Sequence, residues 1–146
     1  MGSWVIGPVL IDNSAWARLA NASLPQARAD EIADAVEAGL IYVSLPFLLE
    51  AGYSARNAGD HRVLMAELRA LPHAPIDAEV ERRAVEAQGQ LARAGHHRMP
   101  PVDVLLSALA ERHSLGILHY DRDYDVVLAK TDLAFDSVWL AKAGSL

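Results

Sequence analysis

The sequence contains no cysteine. Disulfides and thiolate zinc sites are therefore excluded. The absence fits the cytosol, and a cytoplasmic location is expected. No apolar run reaches the roughly 18 residues that a spanning helix needs, so no membrane partner is expected. The N-terminus carries no basic region ahead of its apolar residues, and Asp12 interrupts them. A signal peptide is not expected. There is no Pro/Gly/Ser tract, internal repeat or linker, and one domain spanning residues 1–146 is expected. With 52% hydrophobic and 22% charged residues the composition is that of a globular chain.

Positive charge is also scarce. The formal net charge is −6, which argues against a passive nucleic-acid binder with a basic face. That argument weakens if the acids gather around metal, since two divalent cations would bring −6 to −2. Of the 13 basic residues only Lys130 and Lys142 are lysine. Arginine suits bidentate phosphate contacts, although a compositional bias gives the same count.

What the chain does have is organised around Val9-Leu10-Ile11-Asp12-Asn13-Ser14. A short apolar run that ends in a carboxylate and turn-forming residues reads as a buried strand leading into a capped helix. Helices are expected over 14–20, 24–39, 45–56, 59–71, 77–94, 102–113 and 124–129. Strands are expected over 40–43, 116–120 and 137–140. Ser44 and Asp77 read as caps, and Gly39 and Gly95 as helix ends. Strands alternating with helices imply α/β architecture, with a parallel sheet covered on both faces. Asp12 then stands at the carboxyl end of a central strand, where open α/β sheets bind ligands.

Four further acids stand apart from the rest. Glu50 lies in the apolar helical run from Leu45 to Tyr53, Asp103 opens a helix after Pro100-Pro101, Asp121 ends a strand, and Asp123 follows it. Singly, each has an ordinary reading. Asp12 serves as a cap, Asp103 as a first-turn acid at a helix dipole, and Asp121 and Asp123 as turn residues. Glu50 would be a solvated helix edge or a partner of Arg56. Jointly they read differently. Several converging carboxylates raise one another's pKa values unless cations neutralise them. Hard divalent cations with oxygen ligands, Mg²⁺ or Mn²⁺, are the natural choice. Ser14 is placed to hold Asp12 or a metal-bound water through its hydroxyl. A carboxylate metal site suits phosphodiester hydrolysis without a side-chain nucleophile.

Other candidates are weaker. His96-His97 lack the i, i+4 spacing of helical zinc pairs and read as a surface loop. His113 and His119 read as structural. Trp16, Tyr53 and Tyr120 read as core or interface packing, with base stacking the alternative. Arg18, Arg56, Arg112 and Arg122 are candidate phosphate contacts, Arg122 foremost because it separates two acids.

At these residues the chain resembles a known family. Val9-Leu10-Ile11-Asp12-Asn13-Ser14-Ala15-Trp16, Glu50, Pro101-Val102-Asp103-Val104-Leu105-Leu106-Ser107-Ala108-Leu109-Ala110 and Leu118-His119-Tyr120-Asp121-Arg122-Asp123-Tyr124-Asp125 are similar to the PIN-domain ribonucleases. The nearest likeness is to the VapC toxins of bacterial toxin–antitoxin pairs. The stretch from Val138 to Leu146 looks like mycobacterial members. The resemblance covers nearly the whole chain. It implies a PIN-like three-layer α/β/α sandwich with a mostly parallel central sheet, and Mg²⁺- or Mn²⁺-dependent cleavage of RNA. It also implies a homodimer and a VapB-type antitoxin partner. Carried over by position, Asp12, Glu50, Asp103 and Asp121 form the acidic quartet, Asp123 is a possible fifth, and Ser14 matches the usual Thr or Ser. Asn13 stands where Thr is commoner, and Ser107 where the family often has a small apolar residue. On this reading Asp12 and Asp103 bind the principal metal, Glu50 orients the attacking water, and Asp121 with Asp123 completes the site.

Three other functions were weighed. A PIN-like nuclease acting on DNA would use the same acids, and a non-catalytic PIN-fold binding domain would not need them. An aspartyl-phosphate enzyme would need a second acid and a lysine beside Asp12, and Asn13-Ser14 supply neither.

Overall fold

The computed structural model describes residues 6–146. Its centre is a four-stranded, all-parallel sheet in the order β2-β1-β3-β4. The strands are β1 (Val9–Ile11), β2 (Ile41–Tyr42), β3 (Gly116–His119) and β4 (Ser137–Trp139). The helices are α1 (Asn13–Trp16), α2 (Gln26–Glu37), α3 (Leu45–Tyr53), α4 (Ala58–Leu68), α5 (Ala78–Arg93), α6 (Pro101–His113) and α7 (Asp123–Lys130).

Alternation along β1 separates two cores. Val9 and Ile11 face one side, against Ala15 of α1, Ile32 and Ala35 of α2, Phe47 of α3 and Leu68 of α4. Leu10 faces the other, against Val80 of α5, Leu106 and Leu109 of α6 and Tyr124 of α7. The same split holds on β3, where Leu118 joins the first core and Ile117 the second. Helices on both faces leave the central strands buried throughout, so they read as short unbroken apolar runs. Each fully buried Leu or Ile contributes about 1.5–3 kcal/mol.

The expected helix ends are present. Ser44 accepts the amide of Phe47 and Asp77 that of Val80. Gly39 and Gly95 take φ of +74° and +87° just past α2 and α5, a conformation that costs a residue with a Cβ. The first helix is shorter than the expected 14–20, because after Trp16 the chain continues in turns. The strand expected over 40–43 divides. Ile41 and Tyr42 pair with β1, while Val43 forms an isolated parallel bridge with His73.

Candidate active site

β1 and β3 are adjacent and in parallel register, Ile11 beside Leu118. Both chains therefore leave the sheet at the same edge. Asp12 follows Ile11 directly, and its amide still donates to the Leu118 carbonyl at 3.0 Å. The Asp12 side chain caps α1 by accepting the Ser14 amide at 3.1 Å. The Ser14 hydroxyl donates to the same carboxylate oxygen and accepts the Tyr120 amide at 2.9 Å. One hydroxyl thus ties the exit of β1 to the exit of β3. The role expected of Ser14 is the one observed.

Beyond β3, His119 is fully buried. Its Nδ1 accepts the Asp121 amide at 3.1 Å, so the proton sits on Nε2, which lies 2.8 Å from the Ser137 hydroxyl. Burial holds the imidazole pKa below its usual value, so the ring stays neutral. It acts as a strut that fixes the turn carrying Asp121. The Asp121 carboxylate then accepts the Asp123 amide at 2.9 Å, and this local turn aims both acids the same way.

Asp103 reaches the same place from the first turn of α6. The residue is 8% exposed. Burial, followed by the charges of Asp12, Asp121 and Asp123, pushes its pKa up to about 7. One carboxylate oxygen from each of Asp103, Asp121 and Asp123 lies within 4.8 Å of the others. A set of oxygens without nitrogen or sulfur ligands fits a hard divalent cation. The buried carboxyl that resists ionisation beside like charges is the sign that the pocket lacks a compensating charge of its own.

Asp12 is not one of these three mutually close ligands. It joins them through Tyr124, whose hydroxyl lies 2.8 Å from Asp12 Oδ1 and 3.2 Å from Asp103 Oδ1. Burial and both carboxylates hold the phenol above its ordinary pKa, so it remains a hydroxyl.

Glu50 takes a different position from the other acids. It is exposed on α3, and it makes no ion pair with Arg56 or any other described residue. Partial burial and then the charge of Asp12 raise its pKa, so it lies within the field of the acidic cluster. It lines a cleft of about 430 Å³ whose far wall includes Val102 and Leu105, the neighbours of Asp103 on α6.

The arginines divide similarly. Arg18 lies 4.8 Å over the Tyr120 ring and donates to the Ser14 carbonyl, bracing the site from outside. Arg112 is paired with Asp77 near the far end of α6 and is not a site residue. Arg56 and Arg122 are exposed. Of the aromatic residues, Trp16 packs edge-on against Phe47. Tyr53 is 92% exposed, so core packing, one of the two expectations for it, does not hold. His113 bonds the Pro75 carbonyl, a structural role as expected. His96 and His97 join no group of three metal-ligating side chains among the described residues.

Sequence reasoning missed Tyr124 as a site residue. Its signal was an aromatic hydroxyl one position past Asp123, on the inner side of a short helix. That pattern ordinarily means core, and the ring is indeed core.

A parallel β2-β1-β3-β4 sheet with acids gathered at its carboxyl edge is the arrangement of a PIN domain, and the PIN domain family model matches residues 9–130. The chain belongs to this family, among its VapC ribonucleases. It is 37% identical to ribonuclease VapC2 of Mycobacterium tuberculosis over 84% of this chain and 86% of that protein. It is 33% identical to ribonuclease VapC51 of the same species over 94% and 96%. Among solved structures, DNA-bound VapBC from Salmonella typhimurium superposes with a TM-score of 0.70 at 14% identity, covering 93% of this chain and 100% of that one. The fold is therefore the PIN fold expected from the sequence.

Proposed function

We propose that this protein is a divalent-metal-dependent endoribonuclease and the toxin of a VapBC-type pair, functioning as a single domain over residues 1–146. The observation that carries the reading is the convergence of Asp103, Asp121 and Asp123 within 4.8 Å, with buried Asp12 linked to Asp103 through one phenol. Its mycobacterial relatives are named as ribonucleases. The partners proposed are RNA as substrate, a VapB-type antitoxin and a second copy of this chain. The proposed location is cytoplasmic.

Asp12, Asp103, Asp121 and Asp123 would hold Mg²⁺ or Mn²⁺. When bound, such an ion neutralises charge developing on the phosphate and on the leaving oxygen, and acidifies water. Ser14 and Tyr124 fix the rotamers of Asp12 and Asp103. His119 fixes the backbone that carries Asp121. Glu50, with its raised pKa and solvent access, accepts a proton from the attacking water. No covalent protein intermediate is needed.

The test is cleavage of end-labelled RNA, and of single-stranded DNA of matched sequence, with Mg²⁺, with Mn²⁺ and with EDTA. Cutting of RNA that EDTA abolishes and that Asp12→Asn and Asp103→Asn lack is the expected result. Equal rates for the two variants and the parent would overturn the site. Preferential cutting of DNA would overturn the substrate.

A further inference from the structure

The proposed substrate is a polyanion, yet the chain carries a net charge of −6. Several arginines are already committed. Arg82 is tied to Glu79 and Glu86, Arg83 to Glu86, Glu111 and Asp132, and Arg112 to Asp77. Arg18 is stacked on Tyr120. Of the six exposed arginines outside these contacts, one stands in the loop between α5 and α6. Arg98 is exposed there and makes no ion pair among the described residues.

This loop is held in place. Gly95 takes a positive φ, the His96 amide donates to the Leu91 carbonyl at 2.7 Å, and the Met99 amide to that of His96 at 3.2 Å. Met99 packs against the buried cluster of Leu91, Val104, Val127 and Leu133, and Pro100 and Pro101 follow. Residues 95–100 line one side of a cleft of about 380 Å³, and Asp123 of the acidic cluster lines the other. Arg98 therefore lines the same cleft as Asp123 of the acidic cluster. A preorganised cation beside a phosphodiester-cleaving centre can fix the strand without taking part in the chemistry.

We propose that the cleft between the 95–100 loop and Asp123 seats a backbone phosphate of the RNA next to the cleaved bond, with Arg98 as its contact. This rests on the ribonuclease reading. Arg98 is a substrate-positioning residue, and the contact reads charge and geometry, not base identity.

The experiment measures KM, kcat and the salt dependence of kcat/KM on labelled single-stranded RNA at fixed, saturating Mg²⁺. It compares the parent with Arg98→Ala, Arg98→Lys and Arg82→Ala. Losing one phosphate contact on a single strand lowers the slope of log affinity against log salt by about 0.7, which weakens binding about fivefold near 0.1 M salt. Arg98→Ala should therefore raise KM about fivefold and flatten the salt slope by about 0.7, the loss falling on KM. Arg98→Lys keeps the charge and should restore the slope. Arg82→Ala removes the same charge about 18 Å back along α5 and should leave the slope as in the parent. Unfolding should be unaltered by Arg98→Ala, because the side chain is exposed. An unchanged KM and slope in Arg98→Ala, with the parent cutting RNA, would overturn this inference alone. So would an equal loss in Arg82→Ala. A parent that cuts no RNA would overturn the ribonuclease reading and this inference with it.

Discussion

The Tyr124 hydroxyl lies 2.8 Å from Asp12, which is 112 residues earlier in the chain, and 3.2 Å from Asp103. A phenol has one proton to donate. It can satisfy both contacts at once when it donates to Asp12 and Asp103 retains a proton that it donates back. The Tyr124 bond lowers the Asp103 pKa, but burial and the charges of Asp12, Asp121 and Asp123 outweigh it and raise the value to about 7. A bound cation would favour the ionised Asp103, and the phenol would then be a donor shared by two carboxylates.

Removing that hydroxyl should loosen both acids while leaving the ring in the core. Tyr124→Phe is expected to fold, since it changes no carbon of the packed ring. Hydrogen bonds that orient metal-binding side chains are worth about 10–100-fold in metal affinity. The expected outcome is a rise of at least about tenfold in the Mg²⁺ concentration for half-maximal cleavage. A titration of activity against Mg²⁺, beside thermal melts in EDTA, checks it. Unchanged Mg²⁺ dependence would mean that the phenol is only a core aromatic.

The pH behaviour of Asp103 has a definite sign. Its ordinary pKa is 3.8, and in the folded protein burial and neighbouring charge raise it to about 7. Between those values the folded chain keeps a proton that the unfolded chain has released. The stability this group contributes is present below about pH 4 and is lost as pH rises through about 7. Asp103→Asn cannot ionise, so in EDTA it should melt well above the parent at pH 8, by a smaller margin at pH 5, and close to it only near pH 4, with about 3–4 °C for each kcal/mol. Mg²⁺ binds the ionised form, so the melting increase it gives the parent should be larger at pH 8 than at pH 6. Melting curves of both proteins at these pH values, with and without Mg²⁺, decide this. Asp103→Asn melting below the parent at pH 8 in EDTA would contradict it.

These relationships divide what could be read from the sequence from what could not. The apolar runs ending in Asp12 and Asp121 were legible because a strand buried on both faces has no alternation to obscure it. The caps Ser44 and Asp77 and the turns at Gly39 and Gly95 are local chemistry, visible within four residues. The bridge from Asp12 to Tyr124 is not local. No pattern in either neighbourhood encodes the other, and an apolar setting made Tyr124 look like core. Val43 leaves the sheet for His73 because a distant segment competes for its backbone bonds. Glu50 was legible as an acid out of place in an apolar helix. Its exposure was one of its ordinary readings, and the choice between them was not legible, because which face of α3 is covered depends on helices far away in sequence.

That exposure separates Glu50 from the ligands and gives it a distinct test. If Glu50 handles the proton of the attacking water, Glu50→Gln should lower kcat by about 10²–10⁴. The melting increase produced by Mg²⁺ should survive, because Asp103, Asp121 and Asp123 are untouched. Loss of activity together with loss of that increase would make Glu50 a ligand. Full activity would remove it from the site.

Ser14 offers the cleanest separation of position from charge. Its hydroxyl donates to Asp12 and accepts the Tyr120 amide at 2.9 Å, so it joins two strand exits without carrying charge. Ser14→Ala leaves a part-buried amide and a carboxylate oxygen each short of a partner, a loss of about 1–3 kcal/mol. Ser14→Thr retains the hydroxyl and should recover stability. Activity should follow the hydroxyl too, because both acids that flank it hang on backbone that it clamps. Chemical denaturation and cleavage rates for the two variants check this together. An Ala variant with parental stability and rate would show that the clamp is redundant and that the β1 and β3 exits are held by the sheet register alone.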